Sequence, residues 1–171
     1  PWRIHRPSKK INIAPFILLK DEKRLKKYLK KKIGEDELYL IGRRHIRSNN
    51  SWMHNSERLI KGKDRCILLM NPEDAKKREL SHGEIVKITS KTGSIEVPLE
   101  VSEDILRGVV SLPHGYGHDK EGIRLRVAKK NHGVSINDLT SDLERDEVSG
   151  NAAFTTTRVK ITSVNCKKIK K

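Results

Sequence analysis

The sequence predicts a mainly β domain, a barrel or a sandwich, and three observations carry that reading. Short stretches of alternating apolar and polar residues recur between turn residues, which is the period of half-buried strands. Only one or two small helical patterns interrupt them. The hydrophobic share is 35% and the aromatic share only 4%, so the core must be small and aliphatic. A chain of 171 residues is long enough for one ordinary domain with an appended arm.

Taken in order, "PWRIHRPSKKINIAPFILL" carries prolines in its polar half and reads as an extended arm. "KDEKRLKKYLKKKIG" places Leu25, Tyr28 and Leu29 at helical spacing and predicts a short basic amphipathic helix ending near Gly34. "ELYLIG" is a strand that runs into a polar loop, and "DRCILLM", residues 64–70, is a buried strand. "NPEDAKKREL" opens with a proline and acids and closes with bases, the polarity that suits a helix dipole. "HGEIVKITS" and "GSIEVPLEV" alternate with period two around a Thr92-Gly93 turn. Ile95, Val97, Leu99 and Val101 then face inward and Pro98 outward, which predicts an edge strand. "GVVSLPHGYGH" gives a further strand and a Gly-rich loop, "NDLTSDLERDEVSGNAAF" is turn-rich, and "TTRVKITSV" is the last strand.

The formal net charge is +15, from 37 Lys and Arg against 22 Asp and Glu, which invites a nucleic-acid reading. Its distribution argues otherwise. Residues 1–33 carry a net +10, the five residues from 167 onward add +4, and residues 34–166 carry only +1. A nucleic-acid-binding or protein-interaction barrel using the basic arm stays as the alternative, with few aromatic residues available for stacking. No apolar run reaches the roughly 20 residues of a membrane span, and no signal-peptide core opens the chain. Cys66 and Cys166 form no CxxC or zinc pattern, so the reducing cytoplasm is the expected compartment. The chain begins at Pro1 rather than Met, as either a processed product or a piece of a longer one.

Four stretches could carry chemistry. "IGRRHIRSNNSWMHN", residues 41–55, collects arginines, asparagines and histidines with no acid. Arginine forks match phosphate, and asparagine amides offer donor and acceptor together. That set suits a large, polar, phosphate-bearing heterocycle, or else a surface loop tied down by its own hydrogen bonds. "LPHGYGHDKEG", residues 112–122, is a glycine-hinged loop that lets backbone approach a ligand. His114 and His118 share a four-residue spacing that would suit a metal only on a helix, and the glycines argue against one. In "VSINDLT" Asn137 reads as a turn former or cap. "SGNAAF" is a tight turn carrying Phe154. Nucleophile elbows, HExxH, Walker-type loops and sheltered carboxylate pairs are all missing, so no catalytic set is expected.

In this order, "KINIAP", "LIGRRHIRSNNSWMHN", "NPEDAKKRELSHGEIVKITSKTGSIEVPLEVSEDILRGVVSLPHGYG" and "INDLTSD…VSGNAAF" resemble the C-terminal domain of the molybdopterin oxidoreductase family, from about Ile11 to Ile161. The resemblance implies a six-stranded double-psi β-barrel spanning 36–165, after an arm and helix over 1–35 and before a basic tail at 166–171. It implies bis-molybdopterin guanine dinucleotide with molybdenum or tungsten, bound together with the remaining domains of the same polypeptide. An iron–sulfur cluster is possible in the part preceding this one. Positions implied at the cofactor are Gly42, Arg43, Arg44, Arg47, Asn49, Asn50, Met53, His54 and Asn55, then His114, Gly115, Tyr116, Asn137 and Phe154. The arginines would answer the ligand's charge, and Asn49, Asn50 and Asn55 would read the pterin's polar edges. Where many members place Lys after the late aromatic, this chain has Thr155. The metal ligand lies in an earlier domain in such enzymes, and neither cysteine is placed like it. The chain alone is therefore expected to hold cofactor, not to turn over substrate. Its expected partners are its own missing domains and the cofactor, with no nucleic acid and no membrane segment.

Overall fold

The computed structural model describes residues 2–31 and 34–164. Six strands close a barrel: β1 (Leu38–Arg43), β2 (Leu68–Met70), β3 (Ile85–Thr89), β4 (Ser94–Val101), β5 (Val109–Pro113) and β6 (Thr157–Ser163). Around the barrel the order is β1-β5-β2-β4-β3-β6. The pairs β1/β5 and β2/β4 are parallel, and the other four are antiparallel. This is the six-stranded double-psi β-barrel that the family resemblance implies, and it decides between the barrel and the sandwich that the strand pattern left open.

The alternation read from the sequence fills the barrel. Leu38 and Leu40, Leu68 and Met70, Val86 and Ile88, Val97 and Leu99, Val110 and Leu112, and Val159 and Ile161 all lie in one buried cluster. Each fully buried aliphatic side chain of this kind contributes about 1.5–3 kcal/mol over leaving it exposed. Four short helices decorate the barrel: α1 (Phe16–Lys20), α2 (Glu22–Leu29), α3 (Glu57–Ile60) and α4 (Pro72–Lys77). The last has Pro at its start, Asn71 accepting from the Glu73 N–H at 3.0 Å, acids in its first turn and lysines in its last.

Four local readings need correction. Pro98 does not mark an edge, because β4 lies between β2 and β3 in a closed barrel. Its missing N–H is tolerated because pairing with β2 begins one residue later, at Leu99. The strand read over 64–70 forms a ladder only from Leu68, although Cys66 is already buried. The last four residues read as arm, 16–19, are helical within α1, and the basic helix stops at Leu29 rather than near Gly34. The strand read over "ELYLIG" runs one residue further, to Arg43, because β5 pairs alongside it. The tail at 166–171, with Cys166, lies outside the described residues.

Candidate functional site

Barrel topology brings the four sequence segments to one rim. β1 and β5 are parallel, with Arg43 beside Pro113, so the loops that follow them leave the barrel side by side. β6 runs antiparallel to β1, with Leu40 opposite Thr157, so the short turn Phe154–Thr156 enters from the same end and packs on β1. The Ile136–Asp138 turn joins them: a Cβ built on Gly42 would lie 3.9 Å from His114 Nδ1 and 4.0 Å from the Ile136 side chain.

The loop after β1 folds on itself as a chain of turns. Asn49 and Asn50 adopt left-handed backbone, with φ of 40° and 62°, which Asn tolerates better than most residues because its short amide bonds locally. Asn50 is the junction. Its Oδ1 faces an Arg44 Nη1, which can only donate, so that atom is an oxygen. His114 Nε2 stands 2.6 Å from the same oxygen and must therefore carry its proton. Burial and the Arg44 charge both hold the His114 pKa below the ordinary imidazole range, which keeps the ring neutral. Gly115 packs directly below: a Cβ there would sit 2.3 Å from the Asn50 carbonyl oxygen. A cavity of about 440 Å³ opens among Arg44, His45, Ile46, Asn49, Asn50 and Met53.

The sequence-read positions divide by what they touch. Arg44, Asn49, Asn50 and Met53 line the cavity, and Gly42 and Arg47 are exposed beside it. Arg43 turns into the barrel wall, donating to the carbonyls of Ser111 at 3.0 Å and Ile67 at 2.9 Å. Asn55 accepts the N–H groups of Val127 at 3.0 Å and Ala128 at 3.1 Å, tying down the turn at Ala128–Lys130. His54 is 2% exposed, and its Nδ1 lies 2.8 Å from His118 Nε2. Tyr116 is buried against His54, with ring centroids 4.5 Å apart. Thus Arg43, His54 and Asn55, read as ligand contacts, are engaged within the chain.

Asn137 is exposed and caps no helix. Its turn is fixed from both sides, because Asp138 pairs with Lys120 and a Cβ on Gly93 would lie 2.6 Å from the Asp138 carbonyl oxygen. Phe154 is 57% exposed at the start of its turn. His114 and His118 diverge, one toward Asn50 and the other toward His54. Sequence reading missed His45 and Ile46 as cavity walls and His118 as the partner of His54. The first two sat inside the quoted loop, but their side-chain directions follow from left-handed turns that no periodicity reports.

The rim loop over residues 41–55 carries charge of one sign. His45 is held below the ordinary imidazole range by burial and by Arg65, Arg43 and Arg47, so it stays neutral among cations. A second cavity, of about 340 Å³, lies between the β3–β4 turn and the start of β6 and shares no lining residue with the first. There Arg158 is partnered by Glu37 at 3.5 Å. Among the described residues no three His, Cys, Asp or Glu side chains gather as a metal site, and no helix is long and apolar enough to cross a membrane.

Comparison with known proteins places this geometry. A family model described as the Molydopterin dinucleotide binding domain matches residues 38–158, from the first residue of β1 into β6. The molybdopterin-containing subunit ArrA of arsenate respiratory reductase from Chrysiogenes arsenatis is 33% identical over 91 residues, 52% of this chain and 10% of that protein. The putative dimethyl sulfoxide reductase chain YnfE of Escherichia coli K12 is 28% identical over 111 residues, 65% of this chain and 13% of that protein. The chain thus matches about a tenth of the length of these relatives. Acetylene hydratase from Pelobacter acetylenicus shares the fold, with a TM-score of 0.60 and 20% identity over 85% of this chain and 20% of that one. The chain belongs to the molybdopterin dinucleotide-binding domain family.

Proposed function

We propose that residues 36–165 form the C-terminal cofactor-holding domain of a larger molybdenum or tungsten oxidoreductase, with the rim loops as one wall of a bis-molybdopterin guanine dinucleotide site. The carrying observation is the convergence of four separate segments beside a cation- and amide-lined cavity. The residues fit the group. Arg44 and Arg47 supply positive charge near exposed backbone, Asn49 and Asn50 supply amide edges, and Met53 with Ile46 supplies apolar wall. Gly42 is exposed at the end of β1, and Asn137 and Phe154 stand exposed at the same end. When bound, the cofactor's metal and dithiolene carry the redox chemistry. The chain's own work is to bind and orient. Among the described residues it offers no thiolate ligand, because Cys66 is buried beside Val134, with burial raising its pKa. The metal ligand, the substrate pocket and any iron–sulfur cluster belong to the remaining domains, and the chain alone turns over no substrate. A free Cys66 thiol suits a reducing cytoplasm, and the near-neutral body gives no reason to assign a nucleic-acid partner.

The test is the pterin content of the complete enzyme, read by fluorescence after acid oxidation. Arg44→Ala and Asn50→Ala each lower it by about tenfold, the loss of one charge-assisted contact. Normal pterin content in both variants would sink the assignment.

A further inference from the structure

Two buried histidines join the loops that flank the cavity. His54 lies in the connection after β1, and His118 in the connection after β5; they are 2% and 8% exposed. Their facing nitrogens are 2.8 Å apart, and the rings meet edge to face with centroids at 5.1 Å. His54 Nε2 is buried without a hydrogen-bond partner among the described residues. Around the pair stand the Tyr116 ring, whose hydroxyl bonds with Ser48, and the Gly115 carbonyl, which both imidazoles approach. Charged and titratable neighbours are His45 and Arg65 facing His54, Asp119 facing His118, and Arg43, Arg65 and Cys66 facing Tyr116.

Only one proton fits between the two facing nitrogens, so one ring donates and the other accepts. The bond survives while either ring is neutral and is lost when both are protonated, because two N–H groups then oppose each other. Among the described residues no carboxylate bonds to either ring to offset that charge. We propose, on the reading of these loops as a pterin-binding wall, that His118 is a positioning residue. Through His54 it locks the loop into the shape that presents Arg44 and Asn50, and the lock opens on acidification. Burial supports this, since it holds both imidazoles below their ordinary range and keeps the closed form neutral near pH 7.

His118→Phe keeps a ring and removes the nitrogens. His118→Gln keeps a polar group at the reach of Nε2 whose amide oxygen accepts from a protonated His54 nitrogen and whose NH₂ donates to a bare one, so a bond is available in either protonation state. In the full chain, hydrogen exchange is read at the amides of Ser48, Met53 and His54, which bond within the loop to His45, Ser48 and Ser51 carbonyls. Leu40 and Val110 amides serve as the barrel reference. Relative to them, His118→Phe speeds loop exchange by about tenfold, the worth of one buried hydrogen bond, and His118→Gln restores it. Between about pH 7.5 and pH 5, across the imidazole range, wild-type loop protection falls after correction for intrinsic rates, whereas that of His118→Gln holds. Unchanged exchange in His118→Phe overturns the lock, as does one pH profile shared by wild type and His118→Gln. Should His118→Phe not fold, the comparison with His118→Gln still decides. In the complete enzyme, pterin content falls at least about threefold in His118→Phe and recovers in His118→Gln. Loosened loops with normal pterin content overturn the positioning role, and a wild-type enzyme without pterin overturns the proposed function instead.

Discussion

Arg43 and Arg44 are adjacent in sequence and opposite in duty. Arg43 sits in β1 beside Pro113, and its guanidinium donates to the carbonyls of Ser111 in β5 and of Ile67 just before β2. Removing it leaves both carbonyls short of a charged donor, so Arg43→Ala lowers unfolding free energy by about 2–3 kcal/mol, measured by urea denaturation. Arg44→Ala removes only an exposed contact with Asn50 and changes stability by less than about 0.5 kcal/mol. The sequence shows two arginines in a donor-rich stretch and nothing to tell them apart. The difference arises from the strand end, which turns alternate side chains in and out. The histidines add a pH signature. His45, His54, His114 and His118 all have pKa values lowered by burial from the ordinary 6.5. Below that value the unfolded chain takes up protons that the native chain refuses, so acid favours unfolding. Their contribution is intact above pH 6.5 and fades as pH falls through the window beneath it. A thermal midpoint that drops from neutral pH toward pH 5 is the expected outcome.

The loops and strands show which parts of the molecule periodicity can report. Ile95, Val97 and Leu99 were legible because alternate burial is a property of one strand alone. The edge status of Pro98 was not, because it depends on which strand lies next door, and β2 is more than twenty residues earlier in the chain. The rim was legible as composition and order, while its division into ligand-facing and wall-facing residues was not. That division is made by contacts between elements, of which Gly115 on Asn50 is the tightest. Gly115 has φ of +93°, and any Cβ there meets the Asn50 main chain at 2.3 Å. Gly108 has a similar φ of +80° with nothing within 4 Å. The pair separates strain from collision. Gly108→Ala costs about 1–2 kcal/mol, the left-handed backbone penalty. Gly115→Ala costs about 3 kcal/mol or more, because the two loops must also move apart, and hydrogen exchange rises in both loops together. Equal costs at the two sites would mean that the loops do not bear on each other.

At the scale of the whole molecule, the charge map and the packing map agree on a division. The body from Gly34 to Cys166 is nearly neutral, with a net +1, and within it lies every buried core residue from Leu38 to Ile161. The cationic arm carries α1 and α2, and neither helix has a buried residue. Phe16, Ile17, Leu18, Leu19 and Leu29 are all more than half exposed. The arm touches the body through ion pairs: Arg24 reaches Asp146 at 3.0 Å and Glu147 at 3.7 Å while also holding Asp21. Such exposed pairs are screened by water and salt and hold an element in place without stabilising the fold much. A chain beginning at Gly34 is therefore expected to keep the barrel intact. Its thermal midpoint stays within about 3 °C of the full chain's at physiological salt, and it elutes earlier from a cation exchanger because a net +10 has been removed. A fall of about 10 °C or more would mean that the arm covers barrel surface and that the domain boundary belongs further toward the N-terminus.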